Sequence, residues 1–192
     1  NSSGWAFNNI GMSNILSKIS QNKTVKELYG KCYRGILTGF NEAFIIDEKT
    51  KNELIAVNPT AINVIKPFYE GKDLTKWTNR KIEKYLLAIH NGYNTTPPIN
   101  INEYPAIKNY LDGFYENLET RYDKGITPYN LRNCSYQVLF EETKIVWPNL
   151  QNNNKFSFEN GSYYINAPAV FMPTEDIVLL SIFNSKLIWK FL

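Results

Sequence analysis

The stretch Arg34-Gly35-Ile36-Leu37-Thr38-Gly39-Phe40-Asn41-Glu42-Ala43-Phe44-Ile45-Ile46-Asp47 decides the fold. Its pattern predicts strand, tight turn, strand. Gly35 interrupts the first apolar run, which marks a bulge or the close approach of another backbone. Thr38 to Asn41 carry turn chemistry, because Gly39 takes a positive φ without steric cost and the Asn41 side chain bonds its own backbone. Ala43 to Ile46 form a continuous apolar run of the length of a buried strand. A glycine turn is also one frame for a phosphate loop. No Lys-Ser/Thr pair follows this one, so the structural turn is the reading kept.

On the N-terminal side, Trp5 to Asn9 make an aromatic lead-in. Met12, Ile15, Leu16 and Ile19 follow helical spacing with Ser13 as a cap, and Thr24-Val25-Lys26-Glu27 fits a capping box opening a short helix that Gly30 ends. On the C-terminal side, Asp47 caps a helix carrying Leu54, Ile55 and Val57. Asn58-Pro59 opens another, Ala61 to Ile65, ended by Pro67. Tyr85 to Ile89 is a strand and His90 to Asn102 a loop. Tyr104-Pro105 opens the clearest helix, with Ile107, Tyr110, Leu111, Phe114 and Leu118 on one stripe and Gly113 weakening it. Arg121 to Asn133 is a basic loop, and Tyr136 to Phe140 reads as strand or short helix. Lys144 to Trp147 is a strand stopped by Pro148. Phe156-Ser157-Phe158 and Tyr163-Tyr164-Ile165 read as strands around a turn at Asn160-Gly161, followed by a strand over Ala169 to Met172. Thr174 caps a final helix with Ile177, Leu180, Leu187, Ile188 and Phe191 on its apolar side. Asn184 falls in that stripe, where burial requires hydrogen-bond partners. The mixture predicts an α+β fold, with helices packed on a mostly antiparallel sheet, in a single domain over residues 1–192.

The chain has 192 residues, 43% of them apolar, enough for a real core. Its net charge of +3 is too small to argue for a nucleic-acid partner by itself. Two cysteines, Cys32 and Cys134, make neither a disulfide framework nor a cysteine-rich zinc site, and they fit a reducing, cytoplasmic setting. A single histidine, His90, does not make a multi-histidine metal site. No apolar run approaches membrane-spanning length, so no membrane partner is expected. The chain opens without Met and stops inside an apolar helical repeat. It therefore reads as a fragment of a larger protein.

The pattern Gly-Ile-x-Thr-Gly-x-Asn-x-Ala-Phe-x-Ile, residues 35–46, resembles the opening motif of the TaqI-like C-terminal specificity domain. That domain is the target-recognition module of Type IIG restriction–modification enzymes and related adenine-specific DNA methyltransferases. Ile65-Lys66-Pro67 with Gly71-Lys72-Asp73-Leu74 and Trp77 resembles the next block. Tyr104-Pro105-Ala106-Ile107, Tyr129-Asn130-Leu131-Arg132, Phe140 to Pro148, and Leu179 to Leu187 resemble those that follow, in the family's order. The resemblance implies a bacterial, phage-defence setting and docking on double-stranded DNA with readout of base edges. It also implies a methyltransferase domain elsewhere in the same parent chain, which binds S-adenosylmethionine and flips the target adenine. Cleavage by such a parent implies Mg²⁺. The present chain has no Asn-Pro-Pro-Tyr motif and no Gly-x-Gly-x-x-Gly loop, so no cofactor and no enzymatic activity are expected of it by itself.

Three stretches carry the chemistry for such a role. Lys66, Lys72, Lys76, Arg80, Lys81 and Lys84 form the most basic neighbourhood, interleaved with Phe68, Tyr69, Trp77 and Tyr85. Lys72, Lys76, Arg80 and Lys81 are the candidate phosphate contacts. Glu70, Asp73 and Glu83 dilute that charge, and a solvated face is the plainer alternative. Arg121, Lys124, Tyr129 and Arg132 form a second candidate, since Arg pairs bidentately with guanine. Arg121 equally fits a role closing the preceding helix. Asn149, Asn152 and Lys155 belong to an amide-rich loop suited to base edges or to a simple solvated turn. Two other functions stay open: a metal-dependent nuclease built from Asp123, Glu142 and Lys144, and a protein-interaction module with an aromatic surface.

Overall fold

The computed structural model describes residues 10–79, 81 and 83–190. Trp5 to Asn9, Arg80, Phe191 and the side chains of Met12 and Leu16 lie outside the described residues. The chain divides into two compact units, residues 1–31 and 32–192.

The first unit holds helices α1 (Ile10–Ser20) and α2 (Val25–Tyr29). The expected capping box is present. The Thr24 hydroxyl accepts from the Glu27 N–H, the Glu27 carboxylate accepts from the Thr24 N–H at 2.6 Å, and Gly30 ends the helix at φ +83°.

The second unit runs β1 (Tyr33–Arg34), α3 (Asn41–Phe44), β2 (Ile45–Asp47), α4 (Glu48–Val57), β3 (Ile65–Tyr69), β4 (Trp77–Thr78), β5 (Lys84–Leu87), α5 (Pro105–Asp112), α6 (Tyr115–Thr120), β6 (Lys144–Trp147), β7 (Ser157–Glu159), β8 (Tyr164–Ile165), β9 (Val170–Pro173) and α7 (Ile177–Phe183). One sheet has the order β1-β9-β6-β7-β4 and the other β2-β5-β3-β8. The fold is α+β, as the pattern predicts. Its sheets are mixed, because β3 with β8 and β4 with β7 run parallel while the other pairs are antiparallel.

The deciding stretch is not a hairpin. β1 pairs with β9 and β2 with β5, in different sheets. The Thr38 hydroxyl donates to Asn41 Oδ1 at 2.6 Å and accepts the Phe40 N–H at 3.2 Å. That local turn starts the single helical turn α3, which sends the fully buried Ala43 and Phe44 into the core. Gly35 marks the predicted close approach. A Cβ there would lie 2.5 Å from the carbonyl carbon of Asn166. The Gly35 N–H donates to Ala169 O, the Ile36 N–H to Ile165 O and the Ala167 N–H to Ile36 O, all at 2.8–2.9 Å. Residues 35–36 thus join the two sheets, reaching β8 on one side while continuing from β1 on the other.

Other expectations are refined by partners that lie far off in sequence. Asp47 caps α4 as predicted, accepting from the Thr50 N–H at 2.8 Å. Pro59 instead opens a 3₁₀ turn, Pro59–Val64, and Pro67 lies inside β3. Its fixed φ suits extended backbone, and pairing with β5 ends there as pairing with β8 begins at Phe68. The long helix is two, α5 and α6, separated at Gly113 and Phe114. The turn at Asn160-Gly161 exists, with Gly161 at φ +93°, but β7 and β8 enter different sheets. Asp176, not Thr174, caps α7 by accepting from the N–H groups of Val178 and Leu179. Asn184 is buried and has its partners: it donates to Phe156 O at 2.8 Å and accepts from the Phe156 N–H.

Phe44, Phe68, Phe140 and Phe171 are fully buried in one core with Leu86, Leu87, Ile107 and Leu111. Phe140 stacks on Tyr164 of β8 at 5.0 Å and lies 4.7 Å from the ring of Phe171 on β9. No helix among the described residues is long and apolar enough to cross a membrane.

Candidate nucleic-acid interface

Strand β4 is two residues long, yet it assembles the candidate site. It pairs in parallel with β7, the Trp77 N–H donates to Phe156 O at 3.0 Å, and the Ser157 hydroxyl donates to Thr75 O. The basic segment around residues 72–79 therefore lies along the amide-rich loop that ends at Phe156. Lys72, Lys76, Asn153 and Lys155 line one depression of ≈ 360 Å³. Lys72, Asn149 and Lys155 border another of ≈ 410 Å³ beside it. Two stretches distant in sequence supply one surface that pairs ammonium groups with side-chain amides. Asn152 is exposed on the same loop.

The lysines differ in what surrounds them. Lys84 donates to Glu70 and Asp73, and Lys72 pairs with Glu70 at 3.0 Å. Burial opposes ionisation of Glu70, but the hydrogen bonds from Lys84 and Lys72 outweigh it and hold the carboxyl below its usual range. Lys66 pairs with Glu141 at 2.9 Å, and Lys81 with Glu83 at 3.8 Å, where both side chains are well exposed. Lys76 and Lys155 form no ion pair among the described residues. Their charge is the most available to an anionic ligand.

Trp77 stands beside these lysines, 45% exposed and with its φ at +77°. A bond from the Thr78 N–H to Lys76 O at 3.1 Å closes a γ-turn around it. The positive-φ γ-turn is rare and strained, and for a bulky residue the left-handed half of backbone space costs on the order of 1–2 kcal/mol. The Lys76 ammonium lies 5.4 Å from the centre of the indole ring. Trp77 was visible in the sequence as one aromatic among several; its backbone conformation was not.

The second predicted patch, residues 121–133, is organised differently. Arg121 is 7% exposed. Its guanidinium donates to the carbonyls of Thr38, Asp123, Pro128 and Asn130 and lies 4.5 Å from the ring centre of Phe44. Burial holds its pKa down to about 10, with Asp123 acting in the opposite sense. Arg121 closes α6 only through its backbone N–H, which donates to Asn117 O at 3.0 Å; its guanidinium is committed to other carbonyls, away from the surface a base would need, and ties the loop to the Thr38 turn. Lys124 instead donates to Glu119 O at the end of α6. Tyr129 donates to Asp112 and packs near Lys108 and Tyr115. Arg132 is half exposed and pairs with Asp123 at 2.9 Å. Arg34, Arg132 and Asn133 border a groove of ≈ 260 Å³, and Lys124 and Arg132 border a second depression beside it, so both basic side chains keep access to a ligand.

The nuclease constellation is not assembled. Lys144 is fully buried between strands, paired with Glu159 at 2.6 Å and donating also to the carbonyls of Phe140 and Glu142. Asp123 is held by Arg132. Lys144 serves the sheet, with no route to a water or a phosphate. The signal for this lay in the sequence too, because Lys144 opens an otherwise apolar strand.

No protein-family model matches the sequence, and no curated protein matches it. Among solved structures, the chain is similar in fold to the Type IIL restriction–modification enzyme MmeI in complex with DNA. The TM-score is 0.60 over 81% of this chain, at 12% sequence identity. The chain spans 20% of the length of that enzyme. At this identity the likeness is one of fold: residues of this chain share an α+β architecture with part of a restriction–modification enzyme.

Proposed function

We propose that this chain is a DNA-recognition domain of a restriction–modification enzyme or adenine-specific DNA methyltransferase. The observation that carries the reading is the convergence of Lys72, Lys76 and Lys155 with Asn149 and Asn153 on one surface. Ammonium groups position a protein on phosphates, and side-chain amides match the adenine edge bidentately. The likeness in fold to an enzyme solved with DNA supports it, as does the ordered resemblance of the sequence blocks to TaqI-like specificity domains. In this reading the chain holds no catalytic group. Methylation with S-adenosylmethionine, and any Mg²⁺-dependent cleavage, belong to the rest of the parent protein. Its partners are duplex DNA and that methyltransferase part. The exposed apolar side of α7, formed by Ile177, Val178 and Ile182, has the character expected of a contact between domains.

The test is selection of bound duplexes from a randomised pool by the full chain. The reading predicts enrichment of a defined short sequence, and loss of preference at one position in Asn149→Ala or Asn153→Ala. A recovered pool indistinguishable from the input, despite measurable binding, contradicts sequence recognition.

A further inference from the structure

The geometry points to Trp77 as a stacking residue that takes the flat face of a nucleobase; this rests on the DNA-binding reading above. Three observations meet at this residue. Its backbone sits in a strained γ-turn that a glycine would adopt freely, yet the sequence keeps the largest side chain there. The strain does not go with deep burial, since the residue is 45% exposed. The ring is also flanked by the surface's two most available charges, with Lys76 against it and Lys155 lining the adjoining depression.

A structural tryptophan is expected to bury its ring in an unstrained backbone. Trp77 is strained and leaves 45% of its surface open. The turn is fixed from both sides, by Trp77 N–H on Phe156 O and by Thr75, whose N–H is taken by Asn79 Oδ1 at 3.0 Å. The indole is therefore presented from a constrained base rather than from a loose loop. Backbone strain held by surrounding structure is the pattern of a ligand-contacting position. Base–aromatic stacking tolerates any sequence because every base has a π face. The ligand chemistry is thus a base face uncovered by its neighbours. It has two sources, a base step opened within a duplex and an unpaired strand.

The experiment uses the full chain and its Trp77→Ala, Trp77→Phe and Trp77→Gly variants, with duplex and single-stranded oligonucleotides carrying 2-aminopurine. Trp77→Ala is expected to weaken binding about tenfold. The dependence on salt should stay unchanged, because stacking releases no counterions. Trp77→Phe should keep most of the affinity and the change in 2-aminopurine fluorescence. Trp77→Gly should bind as poorly as Trp77→Ala while resisting urea at least as well as the parent, an outcome a merely structural tryptophan does not give. Loss on the duplex alone identifies an opened base step as the source; loss on both substrates identifies any unpaired base. The proposal is overturned if Trp77→Ala binds both oligonucleotides as the parent does. If that happens while neutralising Lys72, Lys76 and Lys155 abolishes binding, stacking alone fails. If the parent binds neither oligonucleotide at low salt, the DNA reading falls with it.

Discussion

At the scale of single residues, Arg121 is the side chain on which the most backbone depends. Its guanidinium gathers carbonyls from the Thr38 turn and from three positions of the 121–133 loop, in a site that is nearly closed to water. Truncation leaves those acceptors buried without donors, each worth about 1–3 kcal/mol where water cannot replace the donor. Arg121→Ala should lower stability by about 2–4 kcal/mol, read as a fall in the urea midpoint, with Arg121→Lys intermediate. A shift below about 0.5 kcal/mol would mean that water takes over the carbonyls. Loss of this arginine should act on DNA binding only through folding. Arg132, exposed and a few residues on, is the one whose loss should act on binding directly.

At the scale of elements, the register of β6 against β7 sets Lys144 opposite Glu159. Glu159 does two things there. It neutralises a fully buried ammonium, and it accepts the N–H groups of Gly161, Ser162 and Tyr163, folding the turn that carries the chain from one sheet to the other. Glu159→Ala should therefore cost about 3–5 kcal/mol, the usual penalty for orphaning one partner of a buried pair. A Lys144→Met/Glu159→Leu double variant should recover part of that loss, measured by the same urea titration. The element scale also shows how far the sequence could be read. The Thr24 capping box, the Asp47 cap, the close approach at Gly35 and the strand stopped by Pro148 were legible, because each depends on residues within one turn or on a chemical rule about one side chain. Pairing partners were not. Nothing in the alternation of Arg34 to Asp47 tells that its halves join β9 and β5, and nothing local at Glu159 tells that its carboxylate captures the turn beyond it. The candidate site was half legible: both the basic and the amide stretch stood out by composition. Their meeting depends on the Trp77–Phe156 bond, a contact between stretches far apart in the chain.

At the scale of the whole molecule, ion pairs tie distant segments, and their protonation sets the response to acid. Hydrogen bonding from Lys66 first, and then its charge, hold the Glu141 carboxyl below its usual range, and Glu70 is shifted the same way. Folded-state values below the unfolded one mean that this stability is present above the ordinary carboxylate pKa of about 4.3. It is lost as pH falls through the lowered folded values. These two carboxylates should therefore leave the thermal unfolding midpoint unchanged from about pH 7 to about pH 5 and lower it steadily below about pH 4, while His90, whose pKa burial lowers, accounts for any earlier decline below about pH 6.5. A Glu70→Gln/Glu141→Gln variant should show a flatter acid limb; an unchanged limb would place the acid response elsewhere. The same charge distribution supports the central claim, that one face of the molecule docks on DNA. The measurement that tests it most directly is the affinity of the full chain for duplex DNA over a salt series, beside a Lys72→Gln/Lys76→Gln/Lys155→Gln variant. Each phosphate contact contributes about 0.9 to the slope of log affinity against log salt, so the variant's slope should be shallower by about 2–3. Equal slopes for parent and variant would contradict the assignment of this surface as the DNA-binding face.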